Sequence, residues 1–210
     1  MLGLPQNTEI HKQLPKTAVY AKFRMNTAEK NKIDADISKI TIVNEINPDR
    51  TNIPAGAEVK SFFVMQVALK RKDFSEQSII MLSKLIPQNM LFVLEYENQR
   101  CLAVYRNKLM KSEWRPAEEH RIELRGINLD KAWENIITAI GGFTVENDRT
   151  LDEQMLHNEK CQKLQKEIER TEKKARAERQ PKKKLELARR VKALQNELDK
   201  LNSSEDINNG

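Results

Sequence analysis

An α+β fold, with a mostly antiparallel sheet and flanking helices, followed by a C-terminal antiparallel coiled-coil helical hairpin, is what this sequence predicts. Three observations predict it. Runs rich in β-branched and apolar residues (KITIVNEI, SFFVMQVALK, MLFVLEY, RCLAVYR) stand between helix-period stretches in the order helix, strand, strand, helix, several strands, helix. From Cys161 onward small and apolar residues return at three- and four-residue intervals. The charge also divides: His157 to Leu201 holds 15 Lys or Arg against 8 Asp or Glu, the remainder holds 22 against 23, and none of the eleven aromatics lies beyond Phe143. The expected boundaries are an irregular lead-in (1–17), an α+β domain (18–146), a basic helical hairpin (150–202) and a frayed polar tail (203–210).

The lead-in holds two prolines and no periodic pattern. TAEKNKIDADIS predicts a helix with Thr27 as its N-cap, because a hydroxyl there accepts a backbone N–H that the first turn leaves unpaired. KITIVNEI is a strand that ends at Asn47-Pro48, a pair that starts a turn. SFFVMQVALK is the next strand, reached through IPAGAE. Asp73 or Ser75 then caps EQSIIMLSKLI, a short helix ended by Pro87. MLFVLEY and RCLAVYR, separated by Glu97, Asn98 and Gln99, predict a hairpin. HRIELRGI is expected to add an edge strand. NLDKAWENIITAIGG carries Asn128 as N-cap, an apolar face of Leu129, Ala132, Trp133, Ile136, Ile137 and Ile140, and a Gly pair as the stop.

Thr150 and Glu153 form the T-x-x-E capping box, in which two orphan backbone donors are satisfied reciprocally, so a helix starts near Leu151. Cys161, Leu164, Ile168, Thr171 and Ala175 follow a 3-4-3-4 beat; Leu187, Val191, Leu194, Leu198 and Leu201 follow the mirror order. Antiparallel neighbours must pair positions whose numbers add to a constant. Ala175 with Leu187, through to Cys161 with Leu201, all add to 362, which puts the fold point at Pro181. These ten residues are the expected hairpin seam.

Positive charge gathers toward that fold point. Between Arg170 and Lys192 stand eleven basic residues, Arg170, Lys173, Lys174, Arg176, Arg179, Lys182, Lys183, Lys184, Arg189, Arg190 and Lys192, against Glu172, Glu178 and Glu186. Like charges held within a Debye length of about 8 Å repel, so an anion is the natural partner. A phosphate backbone is the obvious one, gripped without reading sequence. The hairpin has no aromatic on which a base would stack, and a protein-docking arm or a solvated spacer is the alternative.

Cys101 and Cys161 show neither disulfide nor zinc spacing, which suits a reducing compartment. The first residues do not read as a secretory leader and no apolar run approaches a membrane span, so a cytoplasmic location without membrane contact is expected. His11, His120 and His157 are far apart and are read as surface histidines, with no metal or cofactor. Trp133 is read as core, and Trp114 as a loop tryptophan folded onto the domain in preference to a partner anchor. One catalytic pattern stands in the sequence: Pro48-Asp49 followed by Glu58-Val59-Lys60 matches a PD-(D/E)xK nuclease, where two carboxylates hold Mg²⁺ and the lysine activates water. Its context is poor, since Glu58 and Lys60 precede the apolar run instead of lying in it.

LPK at 14–16, KID at 32–34 followed by ISKITIV, IPAG at 53–56, and KLQKEIERTEKKARAERQPKKKLELARRVKALQNEL resemble the bacterial family of domain of unknown function 4391 over most of the chain. The resemblance carries no established activity onto these residues. It implies a neighbourhood of helicases and restriction-type DNA methyltransferases in mobile or defence islands. The resulting expectation is a non-catalytic accessory subunit of a DNA-processing or phage-defence system, with a helicase or methyltransferase subunit as protein partner. A Mg²⁺-dependent nuclease and a pure protein adaptor are the alternatives.

Overall fold

A computed structural model describes residues 2–146 and 148–203. The chain divides after Thr144 into two compact units. In the first, the order is β1 (Glu9–Gln13), α1 (Lys16–Lys22), α2 (Thr27–Asp36), β2 (Ile37–Ile46), α3 (Pro48–Thr51), β3 (Phe62–Leu69), α4 (Glu76–Ser83), β4 (Asn89–Tyr96), β5 (Gln99–Arg106), β6 (Lys108–Lys111), β7 (Arg115–Pro116) and α5 (Leu129–Gly141). The second unit holds α6 (Leu151–Ala177) and α7 (Pro181–Ser203).

The seven strands form one sheet in the order β1-β2-β3-β4-β5-β6, with β7 also on β5. All pairs are antiparallel except β3 with β4, which the α4 crossover makes parallel. Alternate residues of each strand point to opposite faces. On one face Met65, Val67, Phe92 and Leu94 pack with Val19 of α1, Ile33 of α2, and Ile79 and Leu82 of α4. On the other, α5 buries all six residues of its apolar face, and Trp133 meets Phe62 with ring centroids 4.9 Å apart and planes tilted by 45°. Both faces are therefore covered around β3 and β4, which accounts for their near-continuous apolar sequence.

Several local expectations are corrected. The lead-in is not irregular: Gln6–Thr8 make a 3-10 turn, β1 pairs with β2, and α1 begins at Lys16. The buried Asn44 amide donates to Thr8 Oγ1 at 2.8 Å, fastening this segment to the sheet. The cap of α2 is Asn26, not Thr27; its side chain accepts from Glu29 N while Glu29 accepts from Asn26 N. Asn47-Pro48 opens the one-turn helix α3, with Asn47 accepting from Arg50 N. Ser75 precedes α4, yet it makes no side-chain cap. HRIELRGI forms no strand, because β6 and β7 already occupy the free side of β5 and Ile122 N donates to Leu2 O instead.

His120 is buried, against the surface expectation, with Nε2 2.7 Å from Arg100 O. Trp114 packs against the core, and Lys72 Nζ sits 5.3 Å from its ring centroid. Of the expected tail, Ser203 closes α7 and residues 204–210 lie outside the described residues. No described helix is long and apolar enough to cross a membrane.

Candidate functional site

The second unit starts with the capping box: Thr150 Oγ1 accepts from Glu153 N at 3.3 Å, and the Glu153 carboxylate accepts from Thr150 N at 2.8 Å. The Thr150 N–H first, then the Thr150 hydroxyl, which donates to the same carboxylate at 2.8 Å, hold the Glu153 carboxyl below its ordinary value, with burial opposing. Helix α6 then runs 27 residues without glycine or proline. It ends at Ala177, and Glu178, Arg179 and Gln180 connect it to α7. Pro181 does not occupy the turn itself; it is the first residue of α7, where the fixed φ and missing N–H of proline fit a helix start.

Helices α6 and α7 pack on each other. Arg190 Nη2 donates to Glu167 Oε1 at 2.7 Å, and Cys161 Sγ lies 3.6 Å from Asn202 Oδ1, so later positions of α7 meet earlier positions of α6. Along α7, Leu187, Val191, Leu194, Leu198 and Leu201 are half-buried and the other residues exposed. On α6, Cys161, Leu164, Ile168 and Ala175 are half-buried and Thr171 is buried, its hydroxyl donating to Glu167 O at 2.7 Å. Both cysteines are free thiols. His157, one turn before Cys161, has Nε2 3.4 Å from that sulfur, as their four-residue spacing on one helix face allows. Far apart as the three histidines are, this one has a cysteine neighbour.

All eleven basic residues from Arg170 to Lys192 are exposed. Arg176 pairs with Glu172 at 3.2 Å and Arg190 with Glu167; among the described residues no ion pair ties the remaining nine. A groove of about 420 Å³ opens between the helices. Lys166, Arg170 and Lys174 line one wall, Arg190 and Leu187 the other, and Thr171 lies between. Lys166 falls outside the basic stretch that the sequence delimits, Arg170 to Lys192. Its spacing of four residues from Arg170, repeated to Lys174, nevertheless places the three on one helix face.

The nuclease pattern sits in the first unit. Asp49 lies in α3, and Glu58 and Lys60 lie in the loop before β3, where Lys60 Nζ donates to Gly56 O at 2.6 Å. The carboxylate that organises this loop is one that no sequence motif marks. Asp130, in the first turn of α5, accepts from Ala57 N (2.6 Å), Val59 N (2.6 Å) and Glu58 N (3.1 Å). Among the described residues no cluster of three or more His, Cys, Asp or Glu is placed to hold a metal. A second cavity of about 770 Å³ lies beside α5, with Ile122, Ile136, Ile140 and Phe143 as apolar lining and Arg121 and Arg125 among its polar residues.

Residues 2–198 match the family described as Domain of unknown function (DUF4391). The chain belongs to that family. The DUF4391 match takes in the sheet and nearly all of α6 and α7, so the basic helices are part of the family domain and not an appendage to it. No curated protein and no solved structure matches the chain.

Proposed function

We propose that this DUF4391 protein is a non-catalytic accessory subunit that contacts the phosphate backbone of nucleic acid through α6 and α7. The observation that carries the reading is the exposed set of basic residues between Arg170 and Lys192, nine of them free of ion pairs among the described residues. Charge left unneutralised on a rigid helical support is relieved by a polyanion, which releases its condensed counterions on binding. The two helices act as a coiled-coil hairpin whose seam is the ten half-buried or buried residues described above, and the seam's role is to hold the cations in a fixed array. The first unit serves as the docking body for a larger enzyme, a helicase or DNA methyltransferase subunit; the cavity beside α5 and Ile127, 86% exposed, support that assignment.

The deciding experiment is binding of the full chain to a fluorescent mixed-sequence oligonucleotide across a salt series. Binding that weakens steeply with salt, is insensitive to sequence and is reduced by neutralising exposed Lys or Arg in α6 and α7 is expected. No binding to single-stranded or duplex DNA or RNA at about 50 mM salt removes the reading and leaves the protein-adaptor role.

A further inference from the structure

We infer that the strand of nucleic acid is seated in the groove between α6 and α7, on Lys166, Arg170, Lys174 and Arg190, and not on the first turn of α7, which carries Lys182, Lys183 and Lys184. The inference rests on the nucleic-acid reading above and assigns its binding site. Four cations line the groove against one carboxylate, Glu167. Charges that converge on a concave surface focus the potential there, whereas the three lysines Lys182, Lys183 and Lys184 are exposed to water and are not among the residues that line the groove.

The geometry favours a repeating anion over a single phosphate. Lys166, Arg170 and Lys174 are four residues apart, so each step advances about 6 Å along the helix and the row is about 12 Å long. That row suits a chain of phosphodiesters. Arg190 faces it from α7, and its planar guanidinium fork matches a phosphate bidentately. In the free protein Glu167 Oε1 accepts from Arg190 Nη2 at 2.7 Å. Glu167 is thus the competitor that an incoming phosphate must displace. Leu187 adds an apolar wall against which a sugar can lie, and the buried Thr171 spends its hydroxyl on Glu167 O, so the cations and not this hydroxyl are the groove's donors to phosphate.

Three variants of the full chain test the assignment with the oligonucleotide salt series: the groove triple K166Q/R170Q/K174Q, the turn triple K182Q/K183Q/K184Q, and E167Q. Each phosphate contact contributes about 0.9 to the slope of log affinity against log salt on duplex DNA, or about 0.7 on a single strand. The groove triple is expected to flatten the slope by about 2 to 3, and the turn triple by less than about 1. E167Q is expected to tighten binding several-fold, because it neutralises the competing carboxylate. That sign keeps the test sharp if the triple misfolds, since a damaged fold weakens binding and does not strengthen it. Loss of the slope in the turn triple with the groove triple unchanged overturns this inference and leaves the nucleic-acid reading intact, as does a weakened E167Q. Absence of wild-type binding overturns both. Equal competition by polyglutamate shows that any polyanion suffices, and it overturns the assignment to phosphodiester.

Discussion

Asp130 stands where a side chain at Gly56 would be: a Cβ at residue 56 would lie 2.1 Å from the Asp130 carboxyl carbon. The carboxylate cannot swing aside cheaply, because it accepts from the N–H groups of Ala57, Glu58 and Val59. Leu129 N also donates to Pro54 O at 2.9 Å, so the IPAG loop and the start of α5 hold each other. Gly56→Ala is therefore expected to destabilise the first unit by about 1–3 kcal/mol, the usual penalty for forcing extra volume into a packed site. In urea denaturation, a cost in Gly56→Ala/Asp130→Ala that is less than the sum of the single costs is the sign of direct coupling. Strict additivity would dissociate the two residues.

The same contacts set an acid response. The N–H of Val59 foremost, then those of Ala57 and Glu58 and the charge of Lys60, hold the Asp130 carboxyl below its ordinary 3.8, with burial opposing. A carboxyl whose folded pKa is depressed adds stability that is present above its unfolded pKa and is lost as pH falls through the folded value. Melting temperature measured downward from about pH 5 should fall in the wild type and fall less steeply in Asp130→Asn, which cannot titrate there. Parallel curves would remove Asp130 from the acid transition.

Asp36, 1% exposed, joins three segments at the end of α2. It accepts from Arg71 Nε at 2.6 Å and from Ser75 N, just before α4, at 2.8 Å. Asp36→Ala strands the Ser75 N–H and should lower unfolding free energy by about 2 kcal/mol, in the range of hydrogen bonds to a charged group. Arg71→Ala should cost at least as much, because it leaves the buried Asp36 carboxylate without its cation and with Ser75 N as its remaining donor, whereas Asp36→Ala leaves a guanidinium that is half exposed and can turn to water. Chemical denaturation of both variants checks the order, and a clearly cheaper Arg71→Ala reverses it.

The proposed seam makes unequal leucines on α7. Leu194 is half-buried, whereas Leu185 is 54% exposed. Leu194→Ala should destabilise the helix pair by about 1–2 kcal/mol, a fraction of what a fully buried leucine contributes. Leu185→Ala should stay within about 0.5 kcal/mol of wild type. Thermal loss of helical circular dichroism reads both; equal effects would dissolve the seam.

What was legible in the sequence followed from strong periodicity and local chemistry. Asn128 and the Gly pair bracket α5, and the apolar face between them is buried as a set. Thr150 and Glu153 mark the start of α6, since a capping box needs only four consecutive residues. β1 (EIHKQ), β6 (KLMK) and β7 (RP) were illegible because short, polar edge strands become strands only through the partner that pairs with them. HRIELRGI erred the other way: its alternation is sound, but the sheet offers it no free edge. At the candidate site the basic residues are plain in the sequence, whereas the grouping of Lys166 with Arg190 exists only across two packed helices.

By itself, the sequence determined the mixed helix and strand content, the helix limits at Asn128 and Thr150, and the gathering of positive charge after Arg170, because propensity, capping and charge act within a few residues of one another. Tertiary structure alone decided that Asp130 fills the place of a residue-56 side chain, that His120 is enclosed, and that Glu167 of α6 holds Arg190 of α7. Those relationships join residues about 20 to 70 positions apart, and chain reversal and packing, not local preference, bring such groups within bonding distance.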